Sequence, residues 1–406
     1  MDHVSRVRRH PLPFFAATWA IVFLCAISLS AQNYHVLYSF TGGPDGSAPA
    51  SGLTMDAGGN LYGTAANGGS LDDGTVFKLS HRGSGWLLAP LHSFTGSDGK
   101  YPAARVVFGP NGSLYGTTTV GGSGCGGEGC GVVYNLMPRA TICPTVSCPW
   151  TERVIHFFSN SGDGYDPYSE VSFGPDGTLY GTTYAGGSQG FGTVYEIGGN
   201  GGVIYSFTGG NEGLSPEAPV IFDAAGNLYG TTTAGFTNSG AVFELARTQS
   251  GFQIHALHQF QTSTVPVGGL VFDSHGNLYG TTSGGGSQNG GIVYELAGGT
   301  NFSVLWNIFG FNEGGPSTSL VKDASGNLYG ANQYNGAHGF GSIFKLSLVG
   351  GLWNYADLYD FTGGSDGAYP DGPVAVDAQG NVYGTAARGG NGCNGDGCGV
   401  IWEITP

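Results

Sequence analysis

The chain has 406 residues, of which 78 are glycine and only 10% are charged, and its formal net charge is −15. So acidic a chain lacks the clustered Lys and Arg that phosphate binding needs, which excludes nucleic acid and anionic lipid surfaces as partners. Glycine at this level is compatible with disorder. Here, however, the glycines fall at fixed places between clusters of Val, Tyr, Phe and Thr, as turns between strands do.

The N-terminus carries Arg6, Arg8 and Arg9, an apolar run from Phe14 to Leu29, and the small residues Ser28, Ser30 and Ala31. This is the pattern of a secretory signal cleaved near Ala31, so residues 1–31 are set apart from the folded domain, 32–406. The run is shorter than the ~20 residues a membrane-spanning helix needs, and no stable membrane insertion is expected. Cys25 lies inside the apolar run and leaves with it. Loss of three arginines and one aspartate makes the mature chain still more acidic.

Residues 34 to 40, Tyr-His-Val-Leu-Tyr-Ser-Phe, read as a strand belonging to no repeat on its N-terminal side. A Leu/Val-Tyr-Gly core then recurs at Tyr62, Tyr115, Tyr180, Tyr229, Tyr279, Tyr329 and Tyr383. The intervals are roughly 50 residues, the period of a four-stranded propeller blade. In the first unit the strands are expected at 51–56, 60–66, 75–80 and 86–94, each of strand length and bounded by turn residues. Later units begin near Ala103, Ser169, Glu217, Val267, Ser317 and Gly372, and the fourth strands end at Phe94, Phe158, Phe207, Phe260, Phe309 and Phe361. The last unit has a third strand, 399–405, but no fourth, which is what residues 34–40 supply. Pairing the two would close a ring and remove two open sheet edges. The fold class is therefore all-β, a seven-bladed propeller of four-stranded antiparallel blades.

Third strands carry a β-branched residue before an aromatic in all seven units, from Val76-Phe77 to Ile401-Trp402, which suits faces packed against neighbouring blades. A glycine follows every second-strand tyrosine. Glycine in a strand is unfavourable, so something must approach too closely for a Cβ, and a ring from the adjacent blade is the expected cause. The recurring Asp-x-x-Gly-Asn, as at 223–227, has too few oxygen ligands for a calcium loop and reads as a hairpin turn.

Three cysteine pairs share one spacing: Cys125 with Cys130, Cys143 with Cys148, and Cys393 with Cys398. In an exported chain local disulfides are expected; zinc is the alternative, but its usual two-residue spacing and nearby histidines are missing.

Loops joining strands two and three, and connections from strand four to the next blade, emerge on one face. Six of those connections carry an acid before glycine, at Asp45, Asp98, Asp163, Glu212, Glu313 and Asp366; the exception is 262–266. Two readings stand side by side. The acids belong to solubilising type I turns, or they form a ring around the channel mouth for a cation or hydroxyl-rich ligand, with Tyr101, Tyr165 and Tyr369 beside them for stacking on sugars. Phe191, Phe340 and Tyr168 are further loop aromatics. No cofactor is called for, and calcium is the one ion the acid ring would suit. His92 and His258 take the place of fourth-strand tyrosines and read as packing residues. No histidine metal cluster, phosphate loop or Gly-x-Ser-x-Gly elbow occurs, and paired carboxylates across the channel are a route to glycoside chemistry whose separation the sequence does not give.

The motif Gly-Asn-Leu-Tyr-Gly-Thr-Thr, then Gly-Gly, then Gly-Thr-Val-Phe/Tyr-Glu/Lys-Leu resembles the GloVer (Gloeobacter/Verrucomicrobia-type) tandem-repeat family across nearly the whole mature chain. The resemblance implies an exported, propeller-like repeat protein, often with a C-terminal surface anchor. This chain ends inside its last repeat, which favours free secretion or periplasmic residence. Two functions follow as expectations. One is a binding or scaffold module for an extracellular glycan or protein, acting as a monomer; the other is a polysaccharide lyase or hydrolase. The insertion between Met137 and Trp150 departs most from the repeat, but it joins strands three and four, on the face opposite the loops.

Overall fold

A computed structural model describes residues 32–138, 150–198, 201–235, 239–261, 263–310, 314–393 and 395–406. The leader, Cys143, Cys148 and Glu313 lie outside the described residues. Seven four-stranded antiparallel sheets follow one another along the chain. Blade one is built from Thr54–Met55, Leu61–Ala65, Thr75–Arg82 and Gly85–Ser93, and the six that follow repeat this plan. The seventh consists of Ala375–Val376, Val382–Ala386 and Val400–Thr405, completed by the N-terminal strand Asn33–Ser39. In that closure Tyr34 lies opposite Ile404 and Ser39 opposite Val400, with a bulge at Leu37. The ring closes as the spare strand at one end and the missing one at the other require.

First strands are only two residues long. The segment 51–53, expected as strand, instead runs beside the central channel, with Leu53 turned into the core.

Aromatic contacts hold blade to blade. The residue closing each fourth strand packs edge-on against the third-strand aromatic of the next blade: Phe40 on Phe77, Phe94 on Tyr134, Phe158 on Tyr195, Phe207 on Phe243, Phe260 on Tyr294, Phe361 on Trp402. Ring centroids lie 5.0–5.9 Å apart, the range in which edge-to-face pairs add to plain burial. In blade five the place belongs to Ile308, not to Phe309 as the sequence suggests. The Ile308 amide donates to Gly291 O as Phe260 donates to Gly240 O, and Ile308 is buried while Phe309 is 71% exposed. A one-residue step turns a core aromatic outward.

The strand-two glycines make room for these rings, but the ring comes from the glycine's own blade, not its neighbour. Gly63 is directly opposite Phe77 in the pairing of strands two and three, and Gly230 opposite Phe243. A Cβ on Gly63 would sit 2.7 Å from Phe77 Cζ. The neighbouring-blade contact is made by the strand-two tyrosine instead, as where Tyr62 meets Phe108 and Tyr229 meets Phe272. Its hydroxyl donates to the Asp-x-x-Gly-Asn turn: Asp223 Oδ2 accepts from Tyr229 and from Asn227 Nδ2, and Asp223 Oδ1 from the Ala225 and Asn227 amides. Both carboxylate oxygens serve the turn, which leaves no vacant oxygen face for calcium.

Candidate functional site

Short antiparallel bridges tie six of the seven connections from strand four to the end of strand two or the loop after it, as at Ser47 with Asn67 and Ala368 with Arg388. All these segments therefore share one face. On it the disulfides Cys125–Cys130 and Cys393–Cys398 close matching loops of blades two and seven.

The acid-glycine turns use their carboxylates locally. Asp45 accepts from the Thr41 amide and hydroxyl and from Tyr38 OH; Glu212 from Thr208 and Tyr205 OH; Asp366 from Thr362 and Tyr359 OH. Asp98 is held by Thr95 and His92, and Asp163 by Ser159 and His156. Burial raises the pKa of Asp366, yet the Thr362 and Tyr359 hydrogen bonds outweigh it and keep the carboxyl below its ordinary value. The Tyr or His partner in each case lies on the outermost strand of its blade, so these acids sit towards the rim of the face. Of the tyrosines, Tyr101 stacks under Lys100 Nζ and Tyr165 packs into the core between blades two and three. Tyr369 lies 5.2 Å from Tyr334 and 5.8 Å from the Arg388 guanidinium.

The channel is lined by other residues. A proline begins each inward segment, at Pro49, Pro102, Pro167, Pro216, Pro266, Pro316 and Pro370, and a Leu or Val anchors it four residues later. The variable positions between them face a cavity of about 260 Å³. They include Arg105, whose guanidinium makes a two-pronged ion pair with Glu170 at 2.6 Å, and the acids Glu217 and Asp371. The seven-fold Pro-x-x-x-Leu/Val pattern was the sequence signal for this site, and the periodicity of the tyrosines obscured it.

Asp371 is enclosed by protein although the channel admits solvent to it. Burial pushes its carboxyl up to about 6, against a hydrogen bond from Ser317. Burial also raises Glu217, with Asp371 adding to the effect. Because the folded value of Asp371 exceeds the unfolded one, this residue's contribution to stability falls as pH rises from 3.8 to about 6 and stays lower above that. Asp371→Asn is expected to raise stability at pH 7 by about 1–2 kcal/mol, discounted for channel water, and to leave it unchanged near pH 3. Urea melts at the two pH values check this; equal shifts at both would contradict it.

On the loop face a groove of about 710 Å³ lies between blades five and six. Trp306, from the strand Asn301–Asn307, stacks on Tyr355 of the strand Leu352–Asp360, with centroids 5.5 Å apart and planes 7° from parallel. Tyr334, 51% exposed, and the outturned Phe309 add two more aromatic surfaces. The polar lining includes Asn332, Asn335, Asp357 and Asp360. Asn332 stands where the other blades carry Thr or Ala at the end of strand two, and it donates to Ser342 Oγ at 3.0 Å. Tyr355 OH donates to Asp357 Oδ1 at 2.8 Å. Burial raises Asp357, partly offset by that bond. Two amide atoms remain without partners although both residues are at least nine-tenths buried: Asn332 Oδ1 and Asn335 Nδ2. The groove thus offers aromatic faces, with an unused acceptor and an unused donor enclosed in the wall behind them.

Solved structures similar to the chain include an oxidoreductase described as a glucose dehydrogenase from Thermus thermophilus, at 14% identity and a TM-score of 0.45 over 92% of this chain and 99% of that one. Another is a gluconolactonase-family protein, at 14% and 0.40 over 74% of this chain and 87% of that one. A third is the Xanthomonas campestris gluconolactonase, at 12% and 0.39 over 63% and 75%. Likeness this distant says nothing about activity. No curated protein sequence matches the chain. The Gloeobacter/Verrucomicrobia repeat matches it three times, over residues 21–151, 126–296 and 235–406, and with those repeats laid along nearly all of its length the chain belongs to that family.

Proposed function

We propose that this propeller is an exported binding module that holds an extracellular glycan in the groove between blades five and six. The observation that carries the reading is the pair of buried, unpartnered amide atoms on Asn332 and Asn335 beside the exposed rings of Phe309 and Tyr334. A buried amide without a partner is costly, and a ligand hydroxyl relieves that cost where an apolar ligand would not. Flat aromatic faces beside directional polar groups are the usual composition of a pocket for an amphipathic small ligand, and the volume suits a short oligosaccharide. Export is supported by the two local disulfides, which persist in oxidising compartments.

A glycan array run beside a polysaccharide-degradation assay tests the proposal. Binding without turnover is expected. Phe309→Ala and Tyr334→Ala, both at exposed positions, should each weaken binding of the best array ligand about tenfold, roughly 1.4 kcal/mol. Unchanged affinity in both would sink the groove as the site. The second reading, an enzyme acting on polysaccharide, rests on Glu217 and Asp371 at the channel; turnover abolished by Glu217→Gln or Asp371→Asn would favour it.

A further inference from the structure

The fourth-strand contacts between blades repeat as a regular series. The residue opposite the β-branched member of each third-strand pair is Tyr38, His92, His156, Tyr205, His258, Trp306 or Tyr359. At six of these positions, all but His156, it meets the next blade's fourth-strand residue opposite a third-strand Leu or Ile. Those contacts are apolar or aromatic elsewhere: Tyr38 with Leu88 in one cluster, Tyr205 with Ile254 in another, His258 stacked on Phe302, Trp306 on Tyr355, and Tyr359 on Tyr34. At the seam of blades one and two the same place holds His92 and Glu152, with Asp98 beside them.

We propose that His92, Asp98 and Glu152 form a binding site for a divalent transition-metal ion, bridging blades one and two. One ligand atom from each of the three lies within 4.8 Å of the other two. His92 Nε2 and Asp98 Oδ2 are in hydrogen-bond contact at 2.9 Å, and an ion taking both would replace that proton and open the pair to about 3.3 Å. The Thr95 amide and hydroxyl bind Asp98 Oδ1 and so fix the carboxylate while leaving Oδ2 to the site. Glu152 Oε1 is shut off from solvent and has no hydrogen-bond partner. A cation supplies the charge this cluster lacks. One imidazole nitrogen with two carboxylate oxygens suits Zn²⁺ or a similar borderline ion, whereas Ca²⁺ requires more oxygens.

The test is calorimetric titration of Zn²⁺ into the tag-free, metal-stripped mature protein, with Ca²⁺ in parallel. One Zn²⁺ per chain is expected, with much weaker Ca²⁺ binding. His92→Tyr reproduces Tyr38 and Tyr205, whose hydroxyls donate to the same turn acid, so it should fold; Glu152→Gln keeps the side chain's shape. Each should weaken Zn²⁺ at least tenfold. His156→Tyr, which alters the matching pair His156–Asp163 one blade on, should leave affinity unchanged. Absence of wild-type binding at about 1 mM Zn²⁺, or equal affinity in all four proteins, overturns the proposal.

Discussion

Removal of residues 32–40 is expected to abolish the single cooperative melt of the propeller, residues 32–406, and leave a species that aggregates. The deletion strips Phe40 from Phe77, exposes the edge of Val400–Thr405, and removes the Tyr34 ring stacked 3.8 Å from Tyr359. Phe40 is fully buried, and losing such a side chain alone costs about 3–5 kcal/mol. An unpaired strand edge then invites intermolecular pairing. Thermal unfolding followed by circular dichroism and light scattering checks this, and Phe40→Ala should reproduce part of the loss. A deletion variant that melts like residues 32–406 would show that closure contributes little.

Gly230→Ala is expected to destabilise by about 1–3 kcal/mol, although alanine is ordinarily the better strand residue. The added Cβ would fall 2.6 Å from Phe243 Cζ, and Phe243 cannot retreat because Phe207 of the preceding blade packs on it at 5.2 Å. Phe243→Leu in the same chain should recover part of the Gly230→Ala loss, since the ring is the obstacle. Additive losses in the double mutant, measured by urea unfolding, would place the cause elsewhere.

The ring and its closure were legible because each strand carries its own record: the Tyr-Gly step, the β-branched and aromatic pair, and a spare strand at one end for a missing one at the other. Register within a repeat was less so. Phe309 looks like Phe260 and Phe361 in sequence, and only the hydrogen bond from Ile308 to Gly291 shows that the core position is one residue earlier. The glycine's neighbour was misplaced for a related reason, because cross-strand pairing puts Phe243 directly opposite Gly230 in one blade. Regularity drew attention to Asp45, Asp98 and their counterparts, whose carboxylates the structure shows bound to their own turns. The groove depends on departures from regularity, at Trp306, Phe309, Asn332 and Tyr355. These lie on two blades and meet only when the ring is built. Of the loop tyrosines, Tyr369 comes next to Tyr334 at the groove's edge, whereas Tyr101 and Tyr165 belong to other blades.

The most direct test of the binding account is a crystal structure of residues 32–406 soaked with the strongest ligand from the glycan array. The account predicts a sugar ring against Phe309 or Tyr334, with hydroxyls on Asn332 Oδ1 and Asn335 Nδ2. A sugar seated at the channel beside Glu217 and Asp371, with the groove between blades five and six empty, would contradict it.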